Sequence, residues 1–237
     1  PAPEAKVAFL FLTRADVHHG GIWQEYLATA NGSASLFSHT QDAKQLSDES
    51  FLADRQVREK VETGWGSVSL VHATLAMLRA ALEDSDTTHF VLVSESCVPV
   101  RPFEALRNSL RLDARSRMRV APWFEVRRRN VLKAQRLENL PGIRKEIAHF
   151  QDQWMCLNRE DALLVTQKDW TPAFENVFAP DEAYFATVLA ASGKPPLQGV
   201  ANRPITWSEW REGEAHPEEF HRVSPRIAAQ IAESGCF

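Results

Sequence analysis

The run Val7–Thr13, VAFLFLT, restricts the fold of this chain more than any other feature. Its apolar residues are nearly continuous, whereas a strand with one face in water alternates apolar and polar residues. The run is therefore typical of a parallel strand buried on both faces at the centre of a sheet. Such a sheet needs helices over both faces, so the chain is predicted to have an α/β fold.

The rest of the chain alternates strand and helix patterns as that fold requires. The clearest amphipathic helix covers residues 67–83, where Val71, Leu75, Leu78 and Leu82 share one face. We predict further strands at 34–39, 87–94, 118–124, 153–157 and 205–207, further helices at 22–30, 103–112, 160–167, 181–191 and 225–233, and loop with some helix at 125–150. A mostly parallel sheet flanked by helices binds ligands at the carboxyl ends of its strands.

Length and composition narrow the classes of function. The 237 residues fit one large α/β domain with a substantial core. A net charge of −4 offers no bulk attraction for nucleic acid, so no nucleic-acid partner is expected. No apolar run approaches the roughly twenty residues of a membrane helix, so membrane association is expected only through segments outside this chain. Cys97, Cys156 and Cys236 form no CxxC pair, which argues against zinc and leaves both one disulfide and three free thiols open.

Motifs for common nucleotide sites are missing: the chain has neither GxGxxG nor GxxxxGK[ST]. Asp84-Ser85-Asp86 is similar to the metal-binding triplet of many sugar-nucleotide transferases, but it precedes a strand instead of following it, so we interpret it as a turn. Glu95 alone follows that strand, and a single carboxylate is a poor site for a divalent cation. No metal or other cofactor is therefore expected. A weaker alternative is a metal site made by Glu95 with Asp84 or Asp86.

Pro180, Asp181 and Glu182 stand at the start of a predicted apolar helix. Proline suits the first helical position, and acidic side chains suit the positive end of the helix dipole. This pattern is compatible with an ordinary acidic helix start and also with a catalytic base. Other motifs are needed to choose between these two interpretations.

A series of short motifs, in the same order along the chain, resembles the core-2/I-branching enzyme family of glycosyltransferases, which also contains peptide O-xylosyltransferases. The motifs are Lys6 to Thr13, Trp65-Gly66-Ser67 with Ser69-Leu70-Val71, Leu92 to Pro99, Gln153-Trp154 with Leu157-Asn158-Arg159, Pro180-Asp181-Glu182, and Asn202-Arg203 through Trp207 and Trp210 to His216-Pro217. Several motifs in order are a much more specific signal than any one of them.

The resemblance implies a GT-A type fold, with a nucleotide-binding half at about residues 1–115 and an acceptor and catalytic half at about 116–237. It implies inverting transfer of a sugar from a UDP-sugar to a hydroxyl of a glycan or glycoconjugate. Glu182 matches the family's general base, a group worth roughly 10²- to 10⁴-fold in rate. The expected location is the Golgi lumen in a eukaryote and otherwise the cytoplasm or a membrane surface.

The remaining site residues carry over from the same resemblance. Gln41 occupies the position where many relatives have an aspartate near the uracil. Relatives also continue beyond a segment like the one ending at Phe237 into an aromatic-Ala-Arg-Lys motif that binds the diphosphate, a role for which Arg222 or Arg226 is the candidate replacement here. An alternative function is a non-catalytic carbohydrate- or nucleotide-binding module on the same fold. The predicted donor-binding residues are His39, Gln41, Arg55, Trp65, Glu95, Arg222 and Arg226, and the predicted acceptor-binding residues are Trp154, Asp181, Trp207 and Trp210.

Overall fold

The computed structural model describes residues 4–211, 217–220 and 222–237. Its strands are β1 Val7–Thr13, β2 Ala34–Thr40, β3 His89–Val93, β4 Val120–Pro122, β5 His149–Gln151 and β6 Cys156–Asn158. Within the described residues, the central sheet has the order β2-β1-β3-β6, and β4 pairs with β5 in a separate sheet. β1 is parallel to β2 and β3, and only β6 runs antiparallel. The predicted mostly parallel sheet is confirmed.

Helices cover both faces of this sheet. They are α1 Gly20–Ala28, α2 Ser69–Leu82, α3 Phe103–Leu112, α4 Trp123–Arg129, α5 Val131–Gln135, α6 Arg159–Gln167, α7 Tyr184–Ala191, α8 Pro196–Gly199 and α9 Pro225–Ser234. None of the helices in the described ranges is both long and apolar enough to cross a membrane. Cys97, Cys156 and Cys236 are free cysteines.

The seven residues of β1 are all buried, and they divide between two cores. Leu10 and its even-numbered neighbours pack with α2, α6 and α7. Phe9 and Phe11 face the other core, where the Phe11 ring meets Trp23 of α1 edge to face at 4.9 Å. This division explains the unbroken apolar run from Val7 to Leu12, because a polar side chain on either face would enter an apolar core.

The carboxyl ends of the parallel strands lie together at one edge of the sheet. Thr13 at the end of β1 is in register with Thr40 at the end of β2, and their hydroxyl oxygens are 3.0 Å apart. Gln41 follows β2 directly, and Glu95 lies two residues beyond β3. This edge, called the donor edge below, is the place where an α/β sheet of this kind binds ligands.

The long polar stretch from 125 to 150 has more regular structure than its weak periodicity predicts. It contains most of α4, all of α5 and most of β5. The predicted strand at 118–124 is extended only at Val120–Pro122, because Trp123 already begins α4. The Trp123 indole N–H donates to the Ala134 carbonyl at 2.9 Å, which ties α4 to α5.

Three other predicted elements are wrong in their bounds or type. The strand predicted at 153–157 is β6, which begins only at Cys156. The predicted helix at 181–191 begins only at Tyr184, because Ala183 has φ −146° and separates α7 from a 3₁₀ turn over Pro180–Glu182. The predicted strand at 205–207 is not formed: the Ile205 carbonyl accepts its hydrogen bond from the N–H of Phe237, near the end of the described chain.

Candidate active site

Glu182 ends the 3₁₀ turn, and its side chain is partly exposed. Two cations lie against one of its carboxylate oxygens. Arg136 Nη1 is 3.2 Å from Oε2, and Lys133 Nζ is 3.4 Å from the same atom. Glu182 is therefore ion-paired to two cations through a single oxygen.

A short helix positions those two cations. α5 is capped by Asn130, whose side-chain oxygen accepts from the N–H of Lys133 at 2.8 Å. Lys133 and Arg136 are three residues apart and so project from the same side of the helical segment. Both charged groups also lie over the Phe150 ring of β5, at 5.4 and 5.7 Å from its centroid.

The backbone before the turn is held in an uncommon conformation. Ala179 has φ 48° and ψ 61°, in the left-handed region that non-glycine residues rarely adopt. Its N–H donates to the Gly66 carbonyl at 2.8 Å, and its carbonyl accepts from Arg136 Nη2 at 2.7 Å. Arg136 thus binds both this backbone and the Glu182 carboxylate.

Two exposed aromatic rings flank the turn. Trp65 and Phe178 have 62% and 54% of their surface exposed, although large aromatic side chains are usually buried, and their rings meet edge to face at 5.3 Å. Trp65 belongs to the segment preceding α2, whereas Phe178 immediately precedes Ala179. The structure thus brings the predicted donor residue Trp65 into contact with Phe178, four residues before the predicted base.

Asp181, between Pro180 and Glu182, is buried. Its Oδ1 atom has no hydrogen-bond partner among the residues that the structure describes. Loss of hydration, with a smaller contribution from the charge of Glu182, raises the pKa of Asp181 to about 6. Burial also raises the pKa of Asp152, whose carboxylate lies 3.6 Å from Arg119. The neighbourhood of Glu182 therefore contains two further carboxyl groups that resist ionisation.

The donor edge contains three of the predicted donor residues. The Gln41 amide donates to the Thr63 carbonyl at 2.9 Å. His39 is buried, and its Nε2 accepts from the N–H of Val61 at 3.0 Å. Burial lowers the pKa of His39, which favours the neutral ring that this hydrogen bond requires. Glu95 accepts from Arg14 Nε at 3.0 Å.

The acidic triplet forms a turn, as interpreted from the sequence. Asp84 Oδ1 accepts from the N–H of Asp86 at 3.0 Å, and its Oδ2 lies 2.7 Å from Lys6 Nζ. These contacts, led by the hydrogen bond from Lys6, lower the pKa of Asp84 to about 2. In the described part of the chain, no group of three or more His, Cys, Asp or Glu side chains is placed to hold a metal ion.

Comparison with known proteins adds the family. The model of the core-2/I-branching enzyme family matches residues 7–232. The chain belongs to this family. Glycosyltransferase BC10 of Oryza sativa subsp. japonica is 26% identical over 263 residues, which cover 96% of this chain and 64% of the rice protein. The predicted family and its GT-A-like α/β fold are confirmed.

The remaining predicted site residues of this core-2/I-branching family member are Trp154, Trp207, Trp210, Arg55, Arg222 and Arg226. Within the described ranges, no hydrogen bond, ion pair or ring contact joins them to Glu182. Trp154 packs against the core, whereas Trp207 lies 5.6 Å from the Phe220 ring. His216, in the last matched motif, is outside the described residues. Arg55 lines a groove beside β2 and α1. Trp210 is exposed, and its indole N–H donates to Ser208 Oγ at 3.2 Å. Arg222 and Arg226 are both exposed; the first lies just before α9 and the second lies within it.

Sequence reasoning missed the residues that contact Glu182 and its turn most directly. These are Lys133, Arg136, Phe178 and the carbonyl of Gly66. The three-residue spacing of Lys133 and Arg136 was a usable signal, but the surrounding arginine-rich stretch hides the short helix that gives this spacing its meaning. Gly66 belongs to the matched motif Trp65-Gly66-Ser67, but its contact is made by its backbone carbonyl, which the motif does not indicate.

Proposed function

We propose that this core-2/I-branching family member is an inverting, metal-independent glycosyltransferase that transfers a sugar from a UDP-sugar to a hydroxyl of a glycan or glycoconjugate, with Glu182 as general base. The arrangement of Glu182 carries the proposal. In the described part of the chain both ion pairs end on Oε2, and the carboxylate is partly exposed. Oε1 is thus the oxygen that an acceptor hydroxyl can approach.

The reaction needs one base and one stabilised leaving group. The acceptor oxygen forms a bond to the anomeric carbon while the bond from that carbon to the diphosphate breaks. The acceptor proton passes to Glu182, and the electron pair of the broken bond leaves with UDP. Because attack comes from the face opposite the diphosphate, the configuration at the anomeric carbon inverts.

Lys133 and Arg136 have two effects on such a base. They hold the carboxylate in one orientation, so less conformational freedom has to be lost when the reactive geometry forms. They also pair only with Oε2 in the described part of the chain, so Oε1 is left to accept the proton.

Metal independence is supported by the partners of the alternative ligands. Glu95 is engaged by Arg14, and Asp84 is engaged by Lys6, at 3.0 and 2.7 Å. A cation would have to compete with both ion pairs. The developing charge on UDP is then left to arginine side chains, whose forked donors suit a diphosphate. Arg222 and Arg226 are the proposed residues.

The central experiment compares Glu182→Gln with Asp181→Asn. UDP-N-acetylglucosamine, UDP-xylose and UDP-glucuronic acid are tested for hydrolysis and for thermal stabilisation of the protein. In Glu182→Gln, turnover of the active donor should fall at least about a hundredfold, because an amide cannot accept the proton. Stabilisation by the donor should remain, since a ligand at about 100 times its Kd adds roughly 2.7 kcal/mol whether or not it reacts.

Asp181→Asn should leave turnover much closer to wild type. If Glu182→Gln keeps more than about a tenth of wild-type turnover, the assignment is wrong and Asp152 becomes the next carboxylate to test. Stabilisation by UDP without turnover of any donor would instead support a binding module. Excess EDTA should leave turnover unchanged, and loss of turnover that manganese restores would overturn the metal-free proposal.

A further inference from the structure

We propose that Gly66 is a positioning residue for Glu182. Its carbonyl and its lack of a side chain fix the segment Phe178–Ala179, from which the Pro180–Glu182 turn begins. The inference rests on the proposed role of Glu182 and extends it to a different part of the chain, the loop before α2.

The first support is the backbone of Ala179. A left-handed conformation is unfavourable for a non-glycine residue, so it persists only where neighbours impose it. Gly66 accepts from the Ala179 N–H at 2.8 Å, and Arg136 Nη2 donates to the Ala179 carbonyl at 2.7 Å. Arg136 Nη1 then reaches Glu182 Oε2 at 3.2 Å. A continuous series of contacts therefore runs from Gly66 to the carboxylate.

The second support is steric. A Cβ atom on Gly66 would lie 2.8 Å from Cε2 and 3.2 Å from Cδ2 of Phe178, too close for either ring atom. The ring would have to move. Its movement would disturb the Arg136 guanidinium, which lies 5.4 Å from the ring centroid, and the adjoining Ala179. Gly66 also has φ +70°, a conformation that itself favours glycine.

The third support is the anchoring of the loop that carries Gly66. At the end of β2, His39 accepts from the N–H of Val61 and Gln41 donates to the carbonyl of Thr63. Beyond them, the N–H of Gly64 donates to Ser69 Oγ at 2.9 Å, at the start of α2. The loop is thus fixed to the donor edge on one side and to α2 on the other. Gly66 therefore sets the position of the base relative to the donor edge.

The test compares Gly66→Ala with Gly32→Ala. Gly32 is a matched control because it has φ +79° and nothing within 4 Å of an added Cβ. Both variants suffer the same kind of backbone strain, and only Gly66→Ala displaces Phe178. We expect kcat of Gly66→Ala to fall about ten- to a hundredfold, as for a base misplaced by a fraction of an ångström to an ångström. Donor KM should change far less than kcat, and Gly32→Ala should keep kcat within about twofold.

Two further readouts separate positioning from simple destabilisation. The acid limb of the kcat–pH profile should shift in Gly66→Ala, because the contacts of Arg136 with Glu182 change, and should not shift in Gly32→Ala. Adding Phe178→Leu to Gly66→Ala should recover a substantial part of kcat, since the smaller side chain makes room for the Cβ. Hydrogen exchange at the Ala179 amide should be faster in Gly66→Ala than in wild type.

Equal kcat values for Gly66→Ala and Gly32→Ala would overturn the inference. So would a loss of kcat that neither shifts the pH profile nor responds to Phe178→Leu, because that result would indicate general damage to the loop. These outcomes are distinct from failure of the proposed function. If Glu182→Gln remains active the base is misassigned, whereas an inactive Glu182→Gln with a normal Gly66→Ala rejects only the role of Gly66.

Discussion

β1 and the Pro180–Glu182 turn are stabilised in opposite ways. β1 is buried along its whole length, has a parallel partner on each side and packs against a core on each face. The turn begins after a strained Ala179, buries the carboxyl group of Asp181 and ends in the partly exposed, ion-paired Glu182. Every feature of the strand favours folding, whereas several features of the turn oppose it.

The difference indicates that β1 contributes stability to the fold, whereas the Pro180–Glu182 turn is held in an unfavourable conformation by the contacts around it. Strain and a buried carboxyl group persist only when surrounding contacts impose them, and they concentrate at functional sites. The surroundings here are supplied by distant segments: the loop before α2, α5 and β5. Substitutions in the two regions should therefore affect different measurements.

The largest expected effect is on stability in the β1 region. Phe11→Ala should lower the free energy of unfolding by about 3–5 kcal/mol, because Phe11 is fully buried against Trp23 and Phe51 and its removal leaves a cavity. Phe178→Ala, which removes the same group from a half-exposed site, should cost roughly 1 kcal/mol or less yet lower kcat. Denaturant titration and steady-state kinetics measure both quantities. Equal losses of stability in the two variants would break the comparison.

An intermediate effect is expected at Asp181, and it depends on pH. Because the pKa of Asp181 is raised from 3.8 to about 6 in the folded protein, the folded state binds this proton more tightly than the unfolded state. Its contribution to stability is complete below about pH 4, is lost as the pH rises to about 6, and stays lost above that. Asp181→Asn avoids this loss, so the variant should gain roughly 1–3 kcal/mol over wild type between pH 4 and pH 8.

Unfolding free energies of both proteins at the two pH values provide the measurement. Other titrating groups cancel in the difference between variant and wild type. A difference that does not change with pH would mean that Asp181 is not desolvated in the folded protein. The effect does not come from helix capping, because no side chain caps the start of α7.

The smallest expected effect is at Ala179. Ala179→Gly relieves the left-handed strain but adds freedom to the unfolded chain, so the free energy of unfolding should rise by no more than about 1 kcal/mol. Asn31→Gly is the control, since Asn31 has a similar φ of 46° in an exposed turn. Asparagine tolerates this conformation better than alanine, so the gain there should be smaller. A clear loss of stability in Ala179→Gly would show that the segment is not strained.

The same comparison explains what the sequence could predict. The unbroken apolar run of β1 and the single apolar face of α2 are local patterns that match their structures, so the central sheet was predictable. Asn130 caps α5 and Lys133 reaches Glu182, but nothing local to that polar stretch indicates either contact. The predicted helix start at Asp181 was wrong because the backbone of Ala183 is not helical. An alanine in the sequence gives no sign of this conformation, which depends on the surrounding packing.

The antiparallel strand β6 has a consequence for how this protein can vary. β6 comes after residue 116, yet it forms the edge of the sheet by pairing with β3, and Arg117 exchanges two backbone hydrogen bonds with Cys156 of β6. A recombination breakpoint near residue 115 would therefore split one sheet between two parents. Chimaeras that exchange the first half of the chain between relatives should carry β6 and its Arg117 contact along with that half. Shuffling libraries that respect this linkage should yield more folded members than those cut at the midpoint.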